Sequence, residues 1–113
     1  MKSLGGDALR GHQETLILSA LERRPAHGYE LLRRLEEAGS GALNLKEGSL
    51  YPALYRLEHE RLVQASWEEN PGRRGPRRRL YRLTPKGRRR LSGRRREWKR
   101  FVTVVGGLVE APA

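Results

Sequence analysis

Apolar residues recur along most of this chain at three- and four-residue intervals, and alternate with polar ones over one stretch. Leu9, Leu16, Ile17, Ala20 and Leu21 form a single stripe that predicts a first helix from Leu9 to Arg24. Pro25 should end it, because a proline pushes the preceding residue out of the α region. Leu31, Leu32 and Leu35, with Tyr29 near the start, predict a second helix from His27 or Gly28 to Ala38, stopped by Gly39-Ser40-Gly41.

After a short extended piece, Ala42 to Leu45, a third helix is predicted from Glu47 to Glu60. Leu50, Leu54 and Leu57 should face the core. Pro52 has no amide hydrogen to donate, so it belongs in or just after the first turn. The opposite face then carries Gly48, Pro52, Tyr55, Arg56 and His59, flanked by Ser49 and Tyr51. Val63, Ala65 and Trp67 alternate with Gln64, Ser66 and Glu68, as in a half-buried strand, and this pattern places Trp67 in the core. Asn70 to Pro76 is dense in turn formers, and Arg77 to Leu83 reads as the returning strand with Tyr81 and Leu83 inward. Thr84 as N-cap and Pro85 in the first turn open a last helix reaching Val109. Leu91, Trp98, Val102, Val105 and Val109 share one stripe on it, widened by Phe101 and Leu108.

Charge changes what this pattern means. The net charge is +11, and residues 73–113 hold 15 of the 24 Lys and Arg but only 2 of the 13 acids. A field this lopsided points to a polyanion, nucleic acid being the commonest. Arg outnumbers Lys 20 to 4, and its planar fork suits phosphates and guanine edges. A solvated basic tail is the plainer explanation of such a run, but a tail needs no regularly spaced apolar residues. With 113 residues the chain is one domain with a small core, for which self-association is a route to stability. No cysteine is present, which excludes disulfides and thiolate chemistry. No apolar run is long enough to span a membrane, and no signal-peptide pattern opens the chain, so a cytosolic protein is expected. His12, His27 and His59 lie in different elements without an acidic cluster, so no metal site is expected. No catalytic constellation or cofactor motif is found, so the chain is not read as an enzyme.

Three helices followed by a hairpin describe a winged helix-turn-helix: mainly α with a β-hairpin, plus a C-terminal helix. Its third helix enters the major groove while the wing grips the neighbouring backbone. The expected DNA-binding residues are Lys46, Ser49, Tyr51, Pro52, Tyr55 and Arg56 on or beside that helix, and Arg73, Arg74, Arg77 and Arg78 on the wing. Tyr51 has a packing alternative against the wing, and Arg56 has Glu60 one turn on. The winged helix-turn-helix is expected over residues 1–83 and the C-terminal helix over 84–113, the two making one compact unit. Two rival functions remain: a sequence-blind nucleic-acid binder, architectural or RNA-directed, and an adaptor whose basic helix docks an acidic protein.

Leu9-Arg10-Gly11-His12, His27-Gly28-Tyr29-Glu30-Leu31, Glu47-Gly48-Ser49-Leu50-Tyr51-Pro52-Ala53-Leu54, Leu57-Glu58 and Tyr81-Arg82-Leu83-Thr84-Pro85-Lys86-Gly87 together resemble the PadR family of bacterial transcriptional regulators, in its small form with a single C-terminal helix. The resemblance implies a homodimer, usually repressing, that binds double-stranded DNA through the Ser49–Pro52 segment and dimerises through its last helix. A two-fold pair of reading helices implies a pseudo-palindromic operator. Leu91, Trp98, Phe101, Val102 and Val105 are the expected dimer-interface residues. Trp98 is read as an interface anchor or, with Phe101 and Val102, as the lining of a slot for a small apolar or aromatic effector. The wing and following helix are richer in Arg than the family pattern.

Overall fold

The computed structural model describes residues 4–5, 9–69, 72 and 74–112. Its first named helix, α1 (Gln13–Ala20), is shorter than the apolar stripe suggests. Gly11 sits at φ +83°, which a right-handed helix cannot contain, so Leu9 reaches the core from a separate turn. At its other end α1 stops at Ala20, well before Pro25. There Arg34 donates to the carbonyls of Ala20 (3.1 Å), Arg24 (2.9 Å) and Pro25 (2.8 Å), so a side chain from the next helix closes the turn.

The short strand β1 (Ala26–His27) leads straight into α2 (Gly28–Ala38). Leu31 and Leu35 are buried on α2, and the chain leaves it through Gly39, Ser40 (φ 53°) and Gly41 (φ 80°). Helix α3 (Glu47–His59) buries Leu50, Ala53, Leu54 and Leu57, as its spacing predicts, with Pro52 inside its second turn. Strands β2 (Val63–Trp67) and β3 (Arg79–Leu83) pair antiparallel, with Ala65 opposite Tyr81. The expected hairpin is in fact part of a three-stranded sheet of order β1-β3-β2, because Ala26 and His27 pair with Tyr81 and Leu80. A two-residue strand carries no periodicity, which is why sequence pattern passes over it.

Trp67 corrects another expectation. It is 58 % exposed, at the outer end of β2, and the guanidinium of Arg79 lies 5.4 Å from its ring centroid. Alternation places a residue on the inward side of a sheet, but burial also requires something to pack against, and the core ends at Ala65 and Tyr81.

Helix α4 (Pro85–Val109) starts as predicted: the Thr84 hydroxyl accepts a hydrogen bond from the Gly87 amide at 2.9 Å. It leans against α1, which also packs on α2 and α3, so α1 lies between α4 and the α2–α3 pair. One core joins Ile17, Leu18, Leu21, Leu31, Leu50, Leu54, Leu57, Leu62 and Leu91. Each such side chain contributes roughly 1.5–3 kcal/mol by leaving water. Beyond Leu91 no residue of α4 is buried, and the helix runs on as an arm, giving the molecule a long axis of 60 Å.

Candidate nucleic-acid interface

The inward leucines of α3 decide what points outward. With Leu50, Leu54 and Leu57 locked in the core, Gly48, Ser49, Pro52, Tyr55, Arg56 and His59 are exposed on the other side. Gly48 and Pro52 keep the leading end of that face slim. Lys46 is the N-cap, exposed, with its carbonyl accepting from the Ser49 and Leu50 amides (3.0 and 2.9 Å), so the residue sits at the positive end of the helix dipole. Tyr55 stacks on His59 at a centroid distance of 6.4 Å with its ring largely in solvent. Arg56 makes no ion pair among the described residues, so the alternative with Glu60 is not formed.

Tyr51 does two things. Its ring lies on Gly28, the first residue of α2, so closely that a Cβ there would collide with its Oη, Cε1 and Cζ. Part of the ring remains exposed. The packing partner is therefore the start of α2, with Tyr81 of β3 close by, where burial pushes the Tyr81 phenol above its ordinary pKa. Tyr29, next to Gly28 and 63 % exposed, stands at the same junction. The sequence places Tyr29 at the start of this helix without giving it a role; the available signal was a large aromatic lying off the Leu31–Leu35 face of an amphipathic helix.

On the wing, Arg74, Arg77 and Arg78 are exposed, and Arg73 lies outside the described residues. The wing base is braced by Glu68: its amide donates to the Arg78 carbonyl (2.8 Å) and its carboxylate accepts from the Arg78 amide (3.3 Å). The imidazole of His27 faces the other carboxylate oxygen at 3.6 Å. Arg79 is tied to Glu58 of α3 at 2.8 Å, linking the wing to α3.

The basic run on α4 divides in two. Arg90 (3.3 Å) and Arg94 (2.8 Å) pair with Glu14 of α1. Arg95 forks onto Glu22 (2.7 and 2.8 Å), and Arg88 reaches the Glu22 carbonyl (3.3 Å). The hydrogen bonds from Arg95 hold the Glu22 carboxyl below its ordinary pKa and raise that of the guanidinium. Four arginines that look like polyanion ligands in the sequence thus fasten α4 to α1 and to the turn that follows it.

Of the residues expected at a partner interface, Trp98, Phe101, Val102 and Val105 are exposed on the arm, together with Val104, Leu108 and Val109. Trp98 stacks on Phe101 (5.9 Å, 15°) and meets His12 edge-on (5.4 Å, 82°). Leu91 differs: it is 1 % exposed and belongs to the core of its own chain, because α4 is still flush against α1 at that level. Among the described residues no group of His, Asp and Glu is placed to hold a metal. No helix there is long and apolar enough to cross a membrane.

A family model described as the transcriptional regulator PadR-like family matches residues 17–93. The chain is similar to a transcriptional regulator from Clostridium thermocellum, with 30 % identity and a TM-score of 0.82, covering 92 % of this chain and 99 % of that one. It is also similar to a PadR-like regulator from Bacillus cereus, with 30 % identity, TM-score 0.79, and 95 % and 100 % of the two chains covered. The transcriptional regulator YqjI of Escherichia coli is 36 % identical over 61 residues, of which this match spans only 30 %.

Proposed function

Because this chain belongs to the PadR-like family of transcriptional regulators, which are not enzymes, we propose that it acts as a homodimeric repressor of a pseudo-palindromic DNA operator. Lys46, Ser49, Tyr51, Pro52, Tyr55 and Arg56 read or grip the major groove. Arg73, Arg74, Arg77 and Arg78 hold the flanking phosphates, each phosphate contact steepening the salt dependence by about 0.9. Residues 1–83 are the DNA-binding unit and 84–113 the dimerisation helix, and the protein works in the cytoplasm, at the nucleoid.

The observation that carries this reading is the division of α3 into a face sealed by Leu50, Ala53, Leu54 and Leu57 and a face left bare around Tyr55 and Arg56. The bare apolar arm from Trp98 to Val109 supports pairing of two copies, since an exposed patch of that kind marks an interface. A small aromatic effector lodged between Trp98, Phe101 and Val102 would alter the separation of the two reading helices and so the affinity for the operator.

Selection of bound duplexes from a random pool tests the reading. Enriched inverted half-sites are expected, bound by a species that sediments as a dimer. Equal affinity for selected and scrambled duplexes at every salt concentration would favour the sequence-blind rival. Operator titrations with flat aromatic ligands test the effector: a ligand that binds and leaves operator affinity unchanged removes that half.

A further inference from the structure

Arg89, Arg96 and Arg100 do not share the fate of their neighbours on α4. At about 100° per residue they fall within roughly 40° of one another, on the side opposite Trp98, Val105 and Val109. All three are exposed, and among the described residues none makes an ion pair; Arg96 has a neutral contact, Nη1 to the Ser92 hydroxyl at 3.3 Å. Lys99 borders the same face, also exposed. The ridge from Arg89 to Arg100 runs about 16 Å at 1.5 Å per residue.

Two placements give this ridge a meaning. It lies behind the apolar stripe, so a dimer formed through that stripe leaves it in solvent on both subunits. It is also turned away from α1 and the core: Leu91, on the opposite side of α4 from Arg89, is the residue buried there. Turned away from the core, it is open to a duplex segment other than the one held by α3 and the wing.

We propose that the Arg89–Arg96–Arg100 ridge is a second, sequence-independent DNA surface that binds the phosphate backbone of another duplex segment, so that one dimer bridges two stretches of DNA. This rests on the reading of α3 as the primary DNA surface. The argument is charge complementarity. Guanidiniums spaced one and two turns apart, flanked by Lys99 on one side and by a single acid, Glu97, on the other, match a row of phosphates, and the release of counterions drives the contact. An acidic protein would need to supply a comparably regular line of carboxylates, whereas every duplex does so.

The test uses the full chain. A biotinylated random-sequence duplex on beads captures the protein at low salt, and recruitment of a second, fluorescent, non-biotinylated duplex is then measured, with protein retained on the beads as an independent readout. Wild type should recruit the second duplex. The variant R89Q/R96Q/R100Q should be retained as well as wild type yet lose at least tenfold in recruitment, and its residual recruitment should show a shallower salt dependence. The glutamines keep helix propensity at exposed positions, so an unchanged circular dichroism spectrum and melting temperature are expected. Undiminished recruitment by the variant, or none by a retained wild type, overturns the ridge while leaving the reading of α3 intact. Failure of wild type to be captured by the random duplex at low salt also overturns the ridge, whereas the reading of α3 stands or falls with the selection of operator duplexes described above.

Discussion

Replacing Gly87 with alanine opposes two physical effects in one residue. Gly87 lies in the first turn of α4, where alanine alone should stabilise the helix by about 1 kcal/mol. A Cβ there, however, would collide with the backbone carbonyl oxygen of Leu62 and stand 2.7 Å from Leu83 Cδ1. The first atom belongs to the main chain and cannot rotate away, so the start of α4 must retreat by on the order of 1 Å to regain ordinary contact. That movement loosens a tight knot. The Thr84 amide donates to Leu62 O at 3.1 Å, and the Thr84 hydroxyl lies 2.8 Å from Arg61 O and 3.0 Å from Leu62 O while capping the Gly87 amide. Overpacking costs about 1–3 kcal/mol and each weakened hydrogen bond about 1 kcal/mol. Set against the helix gain, G87A should lose about 2–3 kcal/mol, a large share of the roughly 5–15 kcal/mol that holds a domain of this size. Urea unfolding followed by circular dichroism, at one fixed protein concentration, measures this. G107A is the control, because nothing lies within 4 Å of a Cβ there; it should gain up to about 1 kcal/mol. A G87A protein as stable as wild type, or more so, would refute the account of how α4 is seated.

Three further outcomes are expected. G28A should destabilise by about 1–3 kcal/mol, since its Cβ strikes the Tyr51 ring, and Y51A in the same chain should relieve part of that loss because the obstacle is a side chain; additive losses in urea unfolding would contradict this. E22Q should cost about 0.2–1 kcal/mol at neutral pH and less in high salt. Because the Glu22 pKa is lowered in the folded state, its contribution is present above the ordinary value of 4.5 and disappears as pH falls through the lower folded value, so wild type and E22Q should converge in acid melts. V102E places a charge on the apolar face of the arm and should shift sedimentation toward the monomer without unfolding the subunit, Val102 being exposed; an unchanged oligomeric state would argue that the arm does not pair copies.

The sequence by itself determined most of the elements and the inner face of each. Leucine spacing placed α2 and α3 to within a residue or so, Thr84-Pro85 marked the start of α4, and Val63, Tyr81 and Leu83 were read as facing inward. These features are local: a period, a cap or a proline acts within a few residues of itself. What only the tertiary structure decided depends on who meets whom. Gly11 and Arg34 bound α1 more tightly than its stripe does, β1 exists because Tyr81 and Leu80 lie beside Ala26 and His27, and Trp67 finds no core to enter. The arginines show the division most plainly. Along the chain they form one basic run, yet Glu14 and Glu22, more than 70 residues away in sequence, neutralise Arg90 and Arg95 and leave Arg89, Arg96 and Arg100 without an acid partner among the described residues. Charge is a property of composition, but whether a charge is available to a partner is fixed by the acids that folding carries to it.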